Sequence, residues 1–363
     1  MGRTVRIGII GSGGIAAAHA REYKQMPDVE IVAVADIIPG KAEEFLEKAG
    51  LPGARAFSDH RRLLELDLDG VSVCTPNIAH HSTSIDALTA GKHVLTEKPM
   101  AVTLQQGIEM VQAAKKSGKI LTVGFQPRYD PNMREVTSLV QSGLLGKVYH
   151  VQTGGGRRRG IPGRTFINKE LAGSGAMADI GCYSLDMAMN ALGYPKPLTV
   201  SAYTSNYFGT NPKYYEQAER FEVEDFAEAF IRFENDIVLN FKISWAMHMD
   251  SLGPTLFLGT EGGLKVEPTP APNPLRSGVW DKGVSRMVLY HDIQGHPTQS
   301  ELPVKTHNVN IFYEKIRDFV TAVQENGPAP ISGEYILRNQ AVIDGILRSA
   351  ELKREVDIHI PEI

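Results

Sequence analysis

Val5-Arg-Ile-Gly-Ile-Ile-Gly-Ser-Gly-Gly-Ile-Ala16 carries a β-rich run straight into a glycine-rich turn. An alanine-rich helix is predicted next, from Ala16 to about Gln25, and then a strand from Glu30 to Ala35 that ends at Asp36. Strand, glycine turn, helix and strand in this order form a unit that can cradle a dinucleotide. Gly11 permits the tight turn and Gly13 lets the backbone approach a pyrophosphate. Ala16 stands where a third glycine usually packs helix on strand. Ser12, Gly14 and Ile15 complete the turn, and the helix N-terminus offers unpaired N–H groups to phosphates. Asp36 lies 20 residues after Ala16, where a carboxylate accepts both ribose hydroxyls. Ile37 and Ile38 follow, with no arginine or serine for a 2′-phosphate, so NAD is expected and NADP is the lesser alternative. The competing reading is an incidental turn with a surface aspartate, and the strand–helix–strand context weighs against it.

Outward from this unit the alternation continues. Val71–Thr75 reads as a buried strand that ends at Pro76-Asn77, with His80 and His81 beyond it. A helix over Ile85–Ala90, a strand over His93–Thr96, a helix over Gly107–Lys116 and a strand over Ile120–Gly124 follow. This order suits an α/β domain built on a doubly wound parallel sheet. Ligands of such sheets bind beyond the carboxyl ends of the strands. Asp36, Thr75-Pro76-Asn77, His80, Glu97-Lys98 and Gln126 all fall near strand ends and should converge on one crevice.

Gln126-Pro-Arg-Tyr-Asp-Pro131 breaks the alternation, which predicts a cofactor domain over 1–125 and a second domain over 126–363. After a helix at about Asn132–Ser142 the pattern turns to long strands. Ile237, Leu239, Phe241, Ile243 and Trp245 alternate with Val238, Asn240, Lys242 and Ser244, the period of two of a sheet with one packed face. Phe226–Phe233 pairs with this run through Glu234-Asn-Asp236, and further strands are expected at Val148–Thr153, Leu198–Thr204, Thr255–Gly259 and Arg286–Tyr290. The sheet should be mostly antiparallel. Residues 268–283, with Pro268, Pro270, Pro272 and Pro274, read as an irregular loop, either inert or a lid. Two closing helices are predicted over Asn308–Gln324 and Glu334–Glu351.

Lys98 precedes Pro99 at a strand end, where its backbone is restrained. Asp179, Tyr183 and Asp186 fall on one stripe of a helix starting near Ala178. A tyrosine, with pKa near ~10, is a poor base at neutral pH. An ammonium such as that of Lys98 beside Tyr183 would favour the phenolate and bring proton transfer into range. Asp179 would orient the lysine or a substrate hydroxyl. The plain alternatives are a helix cap for Asp179 and a satisfied core tyrosine for Tyr183.

The net charge of −4 and the single short basic cluster Arg157-Arg158-Arg159 give no footprint for nucleic acid or anionic membrane. Two cysteines, Cys74 and Cys182, argue against a disulfide framework and for a reducing cytoplasm. No apolar run reaches the ~18 residues of a membrane span. Val5 enters a strand with no signal-peptide pattern before it. No clustered His/Cys spacing suggests a metal site.

Four segments carry a resemblance to a known family: Gly11-Ser-Gly-Gly-Ile-Ala-Ala-Ala-His19, Thr75-Pro-Asn-Ile-Ala-His80, Gly91-Lys-His-Val-Leu-Thr-Glu-Lys-Pro99 and Gly175-Ala-Met-Ala-Asp-Ile-Gly-Cys-Tyr183. Over nearly its whole length the chain resembles the Gfo/Idh/MocA oxidoreductases. The resemblance implies a Rossmann domain followed by an α/β domain with an open, mostly antiparallel sheet that forms the interface of a homodimer or homotetramer. It places the family lysine, which contacts substrate and nicotinamide ribose, at Lys98 and the family aspartate at Asp179. Its acid/base position holds Tyr183 here and a histidine in inositol-dehydrogenase-like members. Arg128, Arg157, Arg159, Arg164 and His248 lie where substrate contacts fall in the family. The implied activity is an NAD-dependent dehydrogenase of a sugar, glycoside or polyol. The alternatives are glycoside cleavage through transient oxidation and elimination, and a non-catalytic NAD/sugar sensor.

Overall fold

The computed structural model describes residues 3–269, 283–305 and 309–362. Contacts divide the chain into two compact units, residues 1–126 with 310–337 and residues 127–309 with 338–362.

The first unit holds a six-stranded parallel sheet in the order β3-β2-β1-β4-β5-β6. Its elements in chain order are β1 (Val5–Ile10), α1 (Gly14–Tyr23), β2 (Val29–Ala35), α2 (Lys41–Ala49), β3 (Arg55–Phe57), α3 (His60–Leu64), β4 (Gly70–Val73), α4 (Asn77–Thr89), β5 (His93–Thr96), α5 (Leu104–Ser117) and β6 (Leu121–Val123). Strands β4, β5 and β6 are buried throughout, as expected where helices cover both faces. The order reverses beside β1, so the ends of β1 and β4 flank the switch point where such sheets bind ligands.

The second unit opens with α6 (Pro131–Gln141), capped by Asp130, whose carboxylate accepts from Asn132 and Met133 N–H. Then come β7 (Val148–Gly156), α7 (Lys169–Ala172), α8 (Cys182–Ala191), β8 (Pro197–Ser205), β9 (Phe226–Phe233), β10 (Val238–Ser244), β11 (Thr255–Gly259), β12 (Gly262–Pro268), β13 (Val284–Ile293) and β14 (His296–Leu302). With the short β15 (Val356–Asp357) they form a nine-stranded sheet in the order β14-β13-β12-β11-β7-β10-β9-β8-β15. All pairings are antiparallel except β7 with β10. The period of two holds along β10: Leu239, Phe241 and Ile243 are at most 1% exposed, while Val238, Asn240 and Lys242 face a partly open side.

The expected boundary needs one correction. Helix α9 (Ile311–Glu325) packs with the first unit, and α10 (Gly333–Leu352) divides between the units after Leu337. Ile316, Phe319, Val320 and Val323 of α9 join Val5, Ile7, Ile9 and Val34 in one apolar core. Burying that face outweighs sequence order, so residues 126–363 are not a single unit. Of the proline-rich segment, Pro270, Pro272 and Pro274 lie outside the described residues, as does Asn308. No helix among the described residues is long and apolar enough to cross a membrane.

Candidate active site

In the first unit the glycine turn is built as its residues require. Gly11 has φ +97°, and a Cβ there would lie 2.5 Å from the Cys74 carbonyl oxygen. Gly13 and Gly14 face open space, with nothing within 4 Å of an added Cβ. Helix α1 has no side-chain cap. Its N-cap, Gly13, has no side chain to offer, and Ser12 before it donates its hydroxyl to Asp36 Oδ2 at 2.6 Å and its N–H to the same oxygen at 3.1 Å. Asp36 Oδ1 accepts from Ile38 N–H at 2.9 Å. The carboxylate is thus oriented at the end of β2, with lone pairs left for hydroxyl donors. Beside Gly11, Thr75 Oγ1 is buried without a hydrogen-bond partner among the described residues. Open glycines, an uncapped helix end, a fixed carboxylate and an orphaned hydroxyl fit a dinucleotide.

Lys98 follows β5 at the same edge of the sheet and is partly exposed between buried Glu97 and buried Pro99, to which it is joined by a cis peptide bond. His80 spans two carbonyls, with Nδ1 2.7 Å from Pro99 O and Nε2 3.0 Å from Thr75 O. Burial lowers the pKa of His80, so the neutral ring donates one N–H and ties α4 to these loops. The structure therefore brings Gly11, Ser12, Gly13, Gly14, Ile15, Asp36, Thr75, Pro76, Asn77, Lys98 and Gln126 to the C-terminal edge of one parallel sheet. Glu97 departs from expectation. Its carboxylate turns into the interior, 2.8 Å from His19 Nε2 and 2.5 Å from Lys315 Nζ, away from the edge expected to bind cofactor.

In the second unit, Met177–Gly181 forms a π-helical turn that runs into α8, where a regular helix from Ala178 was expected. Asp179 sits in that turn, and Tyr183 is the second residue of α8. Glu224, buried just before β9, accepts from Gly175 N–H at 2.8 Å and from Met177 N–H at 3.1 Å, and so anchors the entry to the turn. Trp245 Nε1–H donates to Asp179 Oδ2 at 2.9 Å, and Arg157 Nη1 is 3.8 Å from the same oxygen. Asp179 is therefore a partly exposed carboxylate held by an indole and faced by a guanidinium, and it does not serve as the α8 cap.

Asp186 and Arg128 also depart from expectation. Arg128 donates to both Asp186 oxygens at 2.8 and 2.7 Å and also bonds the Tyr194 hydroxyl. Tyr194 O–H and Asn339 Nδ2–H donate to Asp186 Oδ1 at 2.5 and 2.9 Å. This buried network occupies the Asp186 carboxylate and commits Arg128 to holding the fold. Tyr183, Arg128 and Asp186 line a cavity of about 20 Å³, room for one water. Arg159 stacks over Phe208 and Tyr214 at 5.2 and 5.0 Å, and His248 lies 5.1 Å from Phe208. Arg164 is exposed at φ +61°. Trp245, Glu224, Phe208 and Tyr214 were not singled out from sequence. Trp245 read only as the last inward residue of its strand, and the others carry no motif.

A dinucleotide turn at a parallel-sheet switch point and an Asp–Tyr turn on an antiparallel-rich sheet together define a class of nicotinamide-dependent oxidoreductase. Residues 5–125 match the oxidoreductase family with an NAD-binding Rossmann fold, and residues 133–265 match the GFO/IDH/MocA C-terminal domain. The chain belongs to the Gfo/Idh/MocA family of NAD-binding oxidoreductases. It is 36% identical to the D-glucoside 3-dehydrogenase of Escherichia coli K12, over 73% of this chain and 77% of that protein. It is 31% identical to the glucose-6-phosphate 3-dehydrogenase of Bacillus subtilis 168, over 65% of this chain and 66% of that one. Among solved structures, the aldose-aldose oxidoreductase of Caulobacter crescentus superposes with TM-score 0.78 at 26% identity, covering 98% of this chain and 100% of that one.

Proposed function

We propose that this protein is an NAD-dependent dehydrogenase that oxidises a ring hydroxyl of a glucose-type sugar or glycoside, with C3 as the position attacked. The Asp179 carboxylate, held by Trp245 and one turn before Tyr183, carries this reading, because it offers a hydroxyl acceptor next to a phenol. The likeness to two 3-dehydrogenases of glucose derivatives supports the position. Tyr183 takes the proton of the reacting hydroxyl, and Asp179 accepts from that or a neighbouring hydroxyl and fixes the ring. Lys98 donates to the oxygen that loses its proton. Bound NAD supplies the hydride acceptor. Gly11–Ile15, Asp36 and Thr75–Asn77 hold it at the sheet edge. Arg157, Arg159 and His248, with Phe208 and Tyr214, frame the rest of the substrate, and Arg164 lies on the loop after Arg159.

The same reading includes a homo-oligomer through the open sheet, where Leu198, Tyr203, Tyr290 and Ile293 are exposed. It also includes a reducing cytoplasm, which suits two buried cysteine thiols. Nicotinamide absorbance on mixing protein and NAD with hexoses, glucosides and inositols tests the function. Growth of the NADH band with glucosides or glucose is expected. Turnover confined to inositols would move the substrate class. A silent panel with NAD bound, accompanied by released aglycone, would replace net oxidation by elimination.

A further inference from the structure

Three ionisable side chains meet in the interior of the first unit: His19 from α1, Glu97 after β5 and Lys315 from α9. The His19 and Lys315 side chains are 0% and 1% exposed, and that of Glu97 is 7% exposed. Lys315 donates to Glu97 Oε1 at 2.5 Å, and His19 Nε2 lies 2.8 Å from the same oxygen. His19 Nδ1 is 3.1 Å from Ser72 Oγ, which is 2.8 Å from the Tyr23 hydroxyl. With Nε2–H donating to Glu97 and Nδ1 accepting from Ser72, every member has a partner. Burial, reinforced by the Lys315 charge, lowers the His19 pKa and keeps the ring neutral. Burial alone would raise the pKa of Glu97. The Lys315 ammonium and the His19 hydrogen bond outweigh it and hold that carboxyl well below its usual range.

Such a cluster is a costly way to join helix to sheet, because desolvating each ion costs several kcal/mol and apolar substitutes are often no less stable. Helix α9 has other attachments: its buried apolar face, and Arg317, which bonds both oxygens of Asp28 at 2.8 and 3.0 Å. Docking α9 does not account for the buried charges. The cluster does act on the residue preceding Lys98. Gly124 leaves the slot for that carboxylate, since a Cβ there would lie 2.7 Å from Glu97 Oε1. On the far side of Lys98, Pro99 O is gripped by His80. The partly exposed lysine is thus pinned through both neighbours.

We propose that Lys315 and His19 are positioning residues for Lys98, holding Glu97 in the interior so that the lysine leaves the sheet edge along one fixed course. The proposal rests on the catalytic reading of Lys98, and its test has one arm that does not. Lys315→Met should lower kcat about tenfold to a hundredfold, as expected for a misplaced group, with KM and NAD affinity within about threefold of wild type. Lys315→Arg, which keeps the charge and the donor, should recover most of the loss. Glu97→Gln/Lys315→Met leaves no unpaired buried charge, and it decides the matter if the single variant does not fold; it too should be slow. The independent arm is the rate at which an acetylating reagent labels Lys98, followed by mass spectrometry at fixed pH. That rate should change about threefold or more in Lys315→Met or the double variant, reflecting altered exposure of the amine. A folded variant with wild-type kcat and wild-type Lys98 labelling overturns the proposal. If the wild type turns over nothing, the dehydrogenase reading fails, and labelling alone decides the positioning role.

Discussion

The carboxylate of Asp36 is oriented by three donors, Ser12 N–H, Ser12 O–H and Ile38 N–H, before any ligand arrives. Asp36→Ala should weaken NAD binding by about tenfold or more, the scale of a lost charge-assisted hydrogen bond, and weaken NADP less. Fluorescence titration with both cofactors checks this, and an unchanged preference would remove Asp36 from the ribose. Gly11→Ala forces a Cβ to within 2.5 Å of the Cys74 oxygen at a positive φ, so thermal unfolding should show a loss of about 2 kcal/mol or more. Both residues were legible because spacing and backbone chemistry announce them. Glu97 and Arg128 were misplaced for the opposite reason. Their positions along the chain were read correctly, but partners more than 50 residues away, Lys315 and Asp186, decide which way the side chains turn. Sequence adjacency to Lys98 carries no information about that.

At the scale of elements, the π turn at Met177–Gly181 depends on Glu224, whose carboxylate is the acceptor for Gly175 and Met177. Glu224→Ala would leave those buried N–H groups unpaired, at a cost of about 2–4 kcal/mol, and should release Asp179 from its place beside Trp245. Thermal unfolding together with kcat tests this, and a stable variant with full activity would show that the turn holds itself. Strand β10 was readable from its period of two, and β9 from the turn Glu234-Asn-Asp236 that joins the two. Strand β14, with sequence HPTQSEL, was not, because an exposed edge strand needs no apolar alternation. Strand β12 begins with two glycines and ends in proline, which masks its β character. Helix α2, by contrast, carries an amphipathic signal in KAEEFLEKA, buries Phe45 and Leu46, and went unread.

Across the whole molecule the two units carry titrating groups of opposite sense. Burial lowers the pKa of His19 and His80 in the first unit, and that of His93 to about 4. As pH falls below about 6.5 the unfolded chain takes up protons these rings refuse, so stability is lost between about 6.5 and 4. In the second unit burial raises Glu224, and raises Asp225 to about 6 although the latter accepts from Phe208 and Gly209 N–H. There the native state binds the extra proton, so its contribution improves as pH falls toward 4. Hydrogen exchange at pH 7 and pH 5 should therefore show β1, β4 and β5 losing protection before β9 and β10. Loss in the reverse order would contradict the assignment. The return of α9 to the first unit was beyond reach of the sequence, because an apolar helix face does not name the sheet it will cover.

The most direct test of the account is turnover by Lys98→Met, with NAD binding measured on the same samples. Wild-type NAD affinity within about threefold and a kcat reduced by about a thousandfold or more are expected for the proposed role of Lys98 at the reacting oxygen. A variant that binds NAD and turns over the sugar at the wild-type rate would contradict it.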